Sequence, residues 1–250
     1  MRPEVRRYPN LERLGLAAAS LVVDLAEASL RKRGRFTLVL SGGTTPRVLY
    51  ERLAGPPFSE RMPWGKTYLF WGDERCVAPD HPHSNFGMAY QALLSKVPLP
   101  AANVYRIPGE VLPPEAAAVH YEERLREFFH ARRSSGGSQA FPVFDLLLLG
   151  LGPDGHTASL FPGDSALEER QRWVRAVEVS PTSPQVPRIT LTLPVINSAL
   201  NVLLLVSGPG KEKVLEAILS DREQAALTYP AARVKPAGPL FWLIDEERTR

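Results

Sequence analysis

A single cysteine, Cys76, stands among the 250 residues, so no internal disulfide can form, and a reducing compartment is favoured. Long apolar runs are also missing. Residues 143–151 form one of the longest, yet Asp145 interrupts it and it falls far short of the ~20 residues that cross a bilayer. The opening Met1-Arg2-Pro3-Glu4 is charged, which does not fit a signal peptide. No membrane association is expected, and the cytoplasm is the expected compartment. Low-complexity tracts and repeats are absent, and the 24 prolines are scattered. Neither sign of charge dominates: 30 Lys and Arg against 27 Asp and Glu leave +3. That balance suits a small anionic partner and does not select nucleic acid.

The residues that are present, 44% apolar and 23% charged, can build a full core at this length without staples. A single domain over 1–250 is expected, as a monomer or weak homo-oligomer. Within 11–33, Leu14, Ala17, Ala18, Leu21 and Leu25 share one helical face. Arg31-Lys32-Arg33 then falls in the last turn, where it complements the helix dipole, and Gly34 stands where a left-handed cap belongs. This basic run reads as a helix end, so no nucleic-acid partner is expected. Ser134 to Ser138 read as a flexible surface loop.

Short β-branched or Leu-rich runs alternate with helical patterns. Strands are predicted at 36–40, 68–71, 144–149, 173–179, 189–193, 202–206 and 240–244, and helices over 11–33, 46–54, 84–95, 114–133 and 210–220. Residues 146–149 and 202–206 are apolar on both faces, as in a parallel sheet covered by helices on both sides. The alternation predicts an α/β fold, in which ligands gather at the carboxyl ends of strands. Chemistry is therefore sought in the loops that follow strands.

Four such loops carry unusual residues. Ser41-Gly42-Gly43-Thr44-Thr45-Pro46 follows the first predicted strand. Its glycines allow a tight turn and close approach of backbone N–H groups to a ligand. Thr45 is the expected N-cap and Pro46 the first helical residue. The helix start offers free donors and a positive dipole end, an anion site, and Ser41, Thr44 and Thr45 add hydroxyls. An ordinary strand-to-helix turn has the same look, and no Gly-Lys-Ser/Thr follows to make a nucleotide P-loop. The second loop, Gly72-Asp73-Glu74-Arg75, is either a solvated turn or a site in which Arg75 forks onto phosphate or carboxylate and Asp73 binds sugar hydroxyls. Ser84-Asn85, at the next helix start, supply further hydroxyl or phosphate contacts.

The third loop runs from Gly150 to Gly163. Gly150, Gly152 and Gly155 match G-x-G-x-x-G, and Glu178 falls near the distance of a dinucleotide-binding acid. That fingerprint needs an unbroken helix behind the third glycine, and Pro162-Gly163 cuts it short. Asp154 would also repel a pyrophosphate. The loop instead offers His156, whose imidazole exchanges a proton near neutral pH, with Asp154 beside it. In the fourth loop, Ser207-Gly208-Pro209-Gly210-Lys211, a lysine opens a helix against the dipole; a phosphate held there would account for it, though a solvated lysine is the plainer alternative. His81-Pro82-His83 lacks a nearby third ligand, so no metal is expected. Cys76 lacks a nucleophile signature, His120 and His130 read as helix-surface residues, and Gly-x-Ser-x-Gly is absent.

In order and spacing, six segments resemble the family of glucosamine-6-phosphate deaminases and 6-phosphogluconolactonases. They are Ser41 to Pro46, Trp71 to Arg75, Ser84-Asn85-Phe86-Gly87-Met88-Ala89, Gly150 to Gly163, Pro187-Arg188-Ile189-Thr190, and Gly208-x-x-Lys211. The block from Gly152 to Gly163 is the most specific, and the resemblance covers 41–211. It implies a Rossmann-like, mostly parallel sheet flanked by helices on both faces, shared with ribose-5-phosphate isomerases. The deaminases continue their Asp-Gly-His loop with Asn-Glu-Pro-Gly and carry Asp-Glu-Tyr at the second loop. Ser159-Leu160-Phe161-Pro162-Gly163 and Asp73-Glu74-Arg75 depart from both patterns toward the lactonases.

The implied reaction is hydrolysis of 6-phospho-D-glucono-1,5-lactone in the oxidative pentose phosphate pathway. Ser41, Gly42, Gly43, Thr44 and Thr45 would hold the phosphate, with Arg75, Arg188 and Lys211 as cationic partners. Ser84, Asn85 and Gly155 complete the expected substrate contacts. His156 would take a proton from the attacking water and return it to the departing ring oxygen, with Asp154 or Asp73 orienting the imidazole or the sugar. No metal, nucleotide or other cofactor is required. An isomerase or deaminase, a non-catalytic sugar-phosphate sensor and an NAD-dependent oxidoreductase are the alternatives.

Overall fold

The computed structural model describes residues 3–130, 141–178, 185–247 and 249. The loop expected at 134–138, the end of the helix expected over 114–133 and Val179 of the 173–179 strand lie outside them. Among the described residues the strands are β1 (Glu4–Tyr8), β2 (Phe36–Leu40), β3 (Thr67–Trp71), β4 (Asp73–Arg75), β5 (Val104–Tyr105), β6 (Leu146–Gly150), β7 (Val174–Val177), β8 (Arg188–Leu191), β9 (Val202–Val206) and β10 (Leu240–Asp245). The α-helices are α1 (Leu11–Arg33), α2 (Thr44–Leu53), α3 (Phe58–Arg61), α4 (Asn85–Ala92), α5 (Pro114–His130), α6 (Leu193–Asn197), α7 (Glu212–Ser220) and α8 (Arg222–Ala225).

Seven strands form one sheet in the order β1-β10-β9-β6-β2-β3-β5, and each neighbouring pair is parallel. β2, β9 and β10 are buried along their whole length, as strands in a helix-flanked parallel sheet must be. β1 is an edge strand, and its charged Glu-Val-Arg-Arg-Tyr gives no alternating apolar signal; charges on an edge discourage pairing with other chains. α1 is capped as expected. Asn10 accepts the Arg13 N–H at its start, and Gly34 takes φ +68° at its end. Arg33 is tied into the fold, its Nε donating to Asp145 Oδ1 over 2.6 Å. The buried Asp145 carboxylate also accepts from the N–H and the hydroxyl of Thr37, each at 2.8 Å.

Residues 173–178 and 189–193 do not join this sheet. They supply β7 and β8, which with β4 make a separate antiparallel sheet in the order β4-β8-β7. Gly72 is the joint. Its N–H still bonds to Leu40 on β2, whereas its carbonyl already accepts the Leu191 N–H at the end of β8. Residues 73–75, read above as a loop, are therefore a strand, and Leu193 opens α6 instead of ending one.

α2 also begins earlier than expected. Gly43, at φ +104°, is its N-cap, and Thr45 lies inside the helix. Pro46 fits in the first turn because no intrahelical donor is needed there.

From β2 the chain proceeds to β3 and β5 on one side, and from β6 to β9 and β10 on the other. The carboxyl ends of β2 and β6 thus flank the crevice where strand order reverses, the position at which open α/β sheets bind ligands.

Two tyrosines finish these strands. The Tyr50 phenol, on α2, accepts the Ser41 N–H at 2.9 Å and donates to the Ser41 carbonyl at 2.7 Å. The Tyr121 phenol, on α5, does the same at Trp71, at 3.0 Å each way. Each phenol stands in for a neighbouring strand where the ladder runs out. Both phenols are buried, which drives their acidity well below that of a free tyrosine.

Candidate active site

The crevice is a cleft of about 240 Å3. Ser41, Gly42, Gly43, Thr44 and Thr45 form one wall, Asp73, Arg75, Asn85 and Arg188 a second, and Gly152, Pro153, His156 and Ala158 a third, with Lys211 completing it. It gathers residues from the ends of β2, β3, β6 and β9, together with β8, which no single stretch of sequence brings near one another.

The first wall is an uncapped helix start. Gly43 has no side chain to cap α2 and no other side chain does so, so first-turn N–H groups and the positive dipole end are left for an anion. A side chain at Gly42 would overlap the Asn85 amide, so glycine is required for α4 to pack this close. Removing the Tyr50 hydroxyl leaves the Ser41 N–H and carbonyl buried without their partner. Tyr50→Phe is expected to cost ~1–3 kcal/mol, seen as a lower Tm, and to raise KM as the loop loosens; an unchanged Tm and KM would dismiss the clasp.

The second wall shows why three charges follow β3. Glu74 turns away from the cleft and is buried, accepting backbone N–H groups from Arg75, Asn85 and Phe86 at 2.7–2.8 Å. A carboxylate at the start of α4 complements the helix dipole and fixes Asn85, whose Nδ2 donates to the Asp73 carbonyl at 2.9 Å. Ser84 is the N-cap of α4. Its hydroxyl donates to Glu74 at 3.1 Å and accepts the Gly87 N–H at 3.0 Å. Ser84 does not line the cleft, contrary to the substrate contact expected of it, because its O–H is given to Glu74 and its oxygen caps α4. Asp73 does line it, with Oδ2 held at 2.7 Å by the hydroxyl of the fully buried Ser159. Arg75 and Arg188 are directly opposed in the β4–β8 register. Burial and the Arg75 charge both disfavour the Arg188 cation, and Asp73 and Glu74 partly offset them. Two guanidinium groups side by side in a cleft make a strong anion-attracting field.

The third wall carries the histidine. The 152–156 turn is closed by the Gly152 N–H to the His156 carbonyl at 2.9 Å and the Gly155 N–H to the Gly152 carbonyl at 3.0 Å. Gly155 takes φ +80°, and it shapes the turn without lining the cleft. Ala158 takes φ +48°, an uncommon conformation for a residue with a side chain. His156 Nδ1 lies 2.5 Å from Asp154 Oδ1. Burial works to raise the Asp154 carboxyl, but the bond and charge of His156 outweigh it and hold Asp154 below the usual carboxylate range. In the neutral imidazole, a proton shared with Asp154 on Nδ1 leaves the lone pair on Nε2. The imidazole also packs on Phe161, ring centroids 4.7 Å apart, and the Arg188 guanidinium lies 5.6 Å from the centre of the same ring. Of the two carboxylates considered, Asp154 orients the histidine, and Asp73 is engaged by Ser159.

Lys211 immediately precedes α7, and its Nζ turns back to the Ser207 carbonyl at 2.6 Å. Burial lowers its pKa from that of an ordinary lysine.

The helix that a dinucleotide fingerprint needs directly behind its third glycine is not formed over residues 156–164, and β7 lies in the other sheet with Glu178 exposed. His81 and His83 pack ring to ring, with the His83 N–H donating to His81 Nδ1.

Tyr50, Glu74, Ser159 and Phe161 were not singled out from the sequence. Ser159 and Phe161 lie inside the most specific block and were legible there. Tyr50 and Glu74 act by positioning, which their residue types alone do not announce.

Residues 9–242 match the model of a family described as glucosamine-6-phosphate isomerases/6-phosphogluconolactonase. A 6-phosphogluconolactonase of Synechocystis sp. is 41% identical over 247 residues, covering 99% of this chain and 97% of that one. The crystal structure of a 6-phosphogluconolactonase from Leishmania guyanensis is similar at TM-score 0.85 and 31% identity, over 98% of this chain and 97% of the other. A monomeric glucosamine-6-phosphate deaminase, 20% identical over 98% of each chain, shares the fold at TM-score 0.78.

Proposed function

The chain belongs to the family of glucosamine-6-phosphate isomerases and 6-phosphogluconolactonases and is an enzyme of its lactonase branch; on that premise we propose that the cleft hydrolyses 6-phospho-D-glucono-1,5-lactone with His156 as general base. The observation that carries this reading is the His156–Asp154 pair, set in the same cleft as an uncapped helix start and three cationic side chains.

The phosphate binds at the start of α2, where N–H groups and the hydroxyls of Ser41, Thr44 and Thr45 meet the charges of Arg75, Arg188 and Lys211. That anchor places the lactone ring toward His156. Nε2 takes a proton from water as the water attacks the lactone carbonyl. The imidazolium, steadied by Asp154, then gives the proton to the ring oxygen as the acyl–oxygen bond breaks. Proton and charge are balanced without a covalent intermediate, and positioning supplies much of the rest. Asp73 and Asn85 hold sugar hydroxyls. This reading treats 1–250 as one catalytic unit that works in the cytoplasm without a cofactor.

The test is to generate the lactone in place by oxidising glucose 6-phosphate and to compare acid release with the spontaneous rate. Clear acceleration without added metal is expected. Folded protein that binds sugar phosphates yet gives no acceleration would overturn the lactonase reading in favour of an isomerase, a deaminase or a sensor.

A further inference from the structure

The side chain of His156 is fixed by Asp154 and Phe161, both from its own loop. The backbone that carries it is held from elsewhere. Residues 226–233, from the end of α8 through the turn Pro230–Arg233, form a strap against the 152–156 turn. The Ala231 N–H donates to the Gly155 carbonyl at 3.0 Å. The Tyr229 ring and Cβ fill the space in which any side chain on Gly155 would have to sit. The strap is itself tied down. Arg233 Nη1 pairs with Glu168 at 2.7 Å, and Arg222 Nε donates to the Ala232 carbonyl at 3.1 Å.

Gly155 directly precedes the histidine and sits at a φ that permits wide motion in a glycine. Tyr229 fills the space beside Gly155 and does not line the cleft, so the peptide has no room to shift in that direction. We infer that Tyr229 is a positioning residue for His156: its ring wedges the Gly155 peptide so that the imidazole keeps its place at the cleft. The atoms that occupy the space beside Gly155 are Cβ, Cγ and Cδ1 of Tyr229, so the inference assigns the effect to the ring and not to the hydroxyl. This inference rests on the proposed role of His156 in lactone hydrolysis.

The experiment compares wild type, Tyr229→Phe, Tyr229→Leu and Tyr229→Ala. It measures kcat and KM for the lactone, affinity for 6-phosphogluconate, and the side-chain 15N resonances of His156. Misplacing a catalytic group by a fraction of an ångström costs on the order of tenfold or more in rate. Tyr229→Ala is therefore expected to lower kcat about tenfold, with KM and product affinity within about twofold. Its His156 resonances should shift or broaden. Tyr229→Phe should restore wild-type values in every measurement. Should Tyr229→Ala fail to fold, Tyr229→Leu, which keeps bulk but loses the flat ring, carries the test with an intermediate loss of kcat. Wild-type kcat and unmoved His156 resonances in a folded Ala or Leu variant would overturn the inference, as would a Phe variant as impaired as Ala. An inactive wild type would overturn the lactonase reading instead, and the resonances would still report whether Tyr229 holds His156.

Discussion

Replacing His156 with alanine is expected to lower kcat by ~10²–10⁴-fold, the range for loss of a general acid–base, with affinity for 6-phosphogluconate within about twofold of wild type. The separation follows from where the groups sit. The phosphate contacts proposed above come from α2, β4, β8 and the residue just before α7, and none of those groups depends on the imidazole. His156 lines the cleft, and with Nδ1 engaged by Asp154 its other ring nitrogen is the one left to act on substrate. Asp73 also lines the cleft, but one of its oxygens is held by Ser159, which makes it a poor substitute base. Initial rates with lactone formed in place, corrected for spontaneous opening, give kcat; calorimetric titration with product gives the affinity. A near-normal kcat in a folded His156→Ala variant would remove the histidine from the mechanism. Equal losses of rate and affinity would instead place it in substrate binding.

Replacing Lys211 with alanine is expected to act on the other axis, raising KM by ~10–100-fold, the weight of a charge-assisted hydrogen bond, with a smaller change in kcat. No acidic side chain contributes to the shift of Lys211; burial alone accounts for it. The folded chain therefore holds this proton less tightly than the unfolded chain does. The strain on stability is present at neutral pH and is relieved as pH rises through the lowered folded value. Binding has the opposite dependence, because phosphate needs the ammonium. Affinity for 6-phosphogluconate should thus begin to fall at a pH below the ~10.4 of an ordinary lysine, and Lys211→Arg should abolish that alkaline limb. Titrations from neutral pH upward check both statements. An affinity that is flat until ordinary lysines titrate, or a KM unmoved in Lys211→Ala, would place the phosphate elsewhere.

Much of this site was legible because it is built from residue types whose chemistry is local. Glycines after strands, a proline in a helix's first turn and a histidine beside an acid advertise themselves wherever they fall. Apolar runs buried on both faces, such as residues 202–206, gave a strand with its bounds unchanged. Other features depend on partners distant in the chain. β4 was read as a loop because three charged residues carry no strand signal; it is a strand because β8, more than a hundred residues later, supplies its ladder. Ser84 looked like a substrate donor because a serine at a helix start can cap or bind, and only the position of Glu74 shows that it caps. Gly43 took the capping position from Thr45 because a positive φ suits glycine, a preference the sequence carried but that Pro46 obscured.

The two phenols that close the ends of β2 and β3 have a consequence for when the cleft comes into being. Amides at strand ends ordinarily fray and exchange with solvent through small local openings. The amides of Ser41 and Trp71 are tethered instead to α2 and α5, so their protons are freed when those helices lift from the sheet. In a hydrogen-exchange experiment both should decay with the slow amides of the sheet interior and not with the surrounding loops. The floor of the cleft then shares the lifetime of the core, and a short-lived lactone meets a surface already set in place before it arrives.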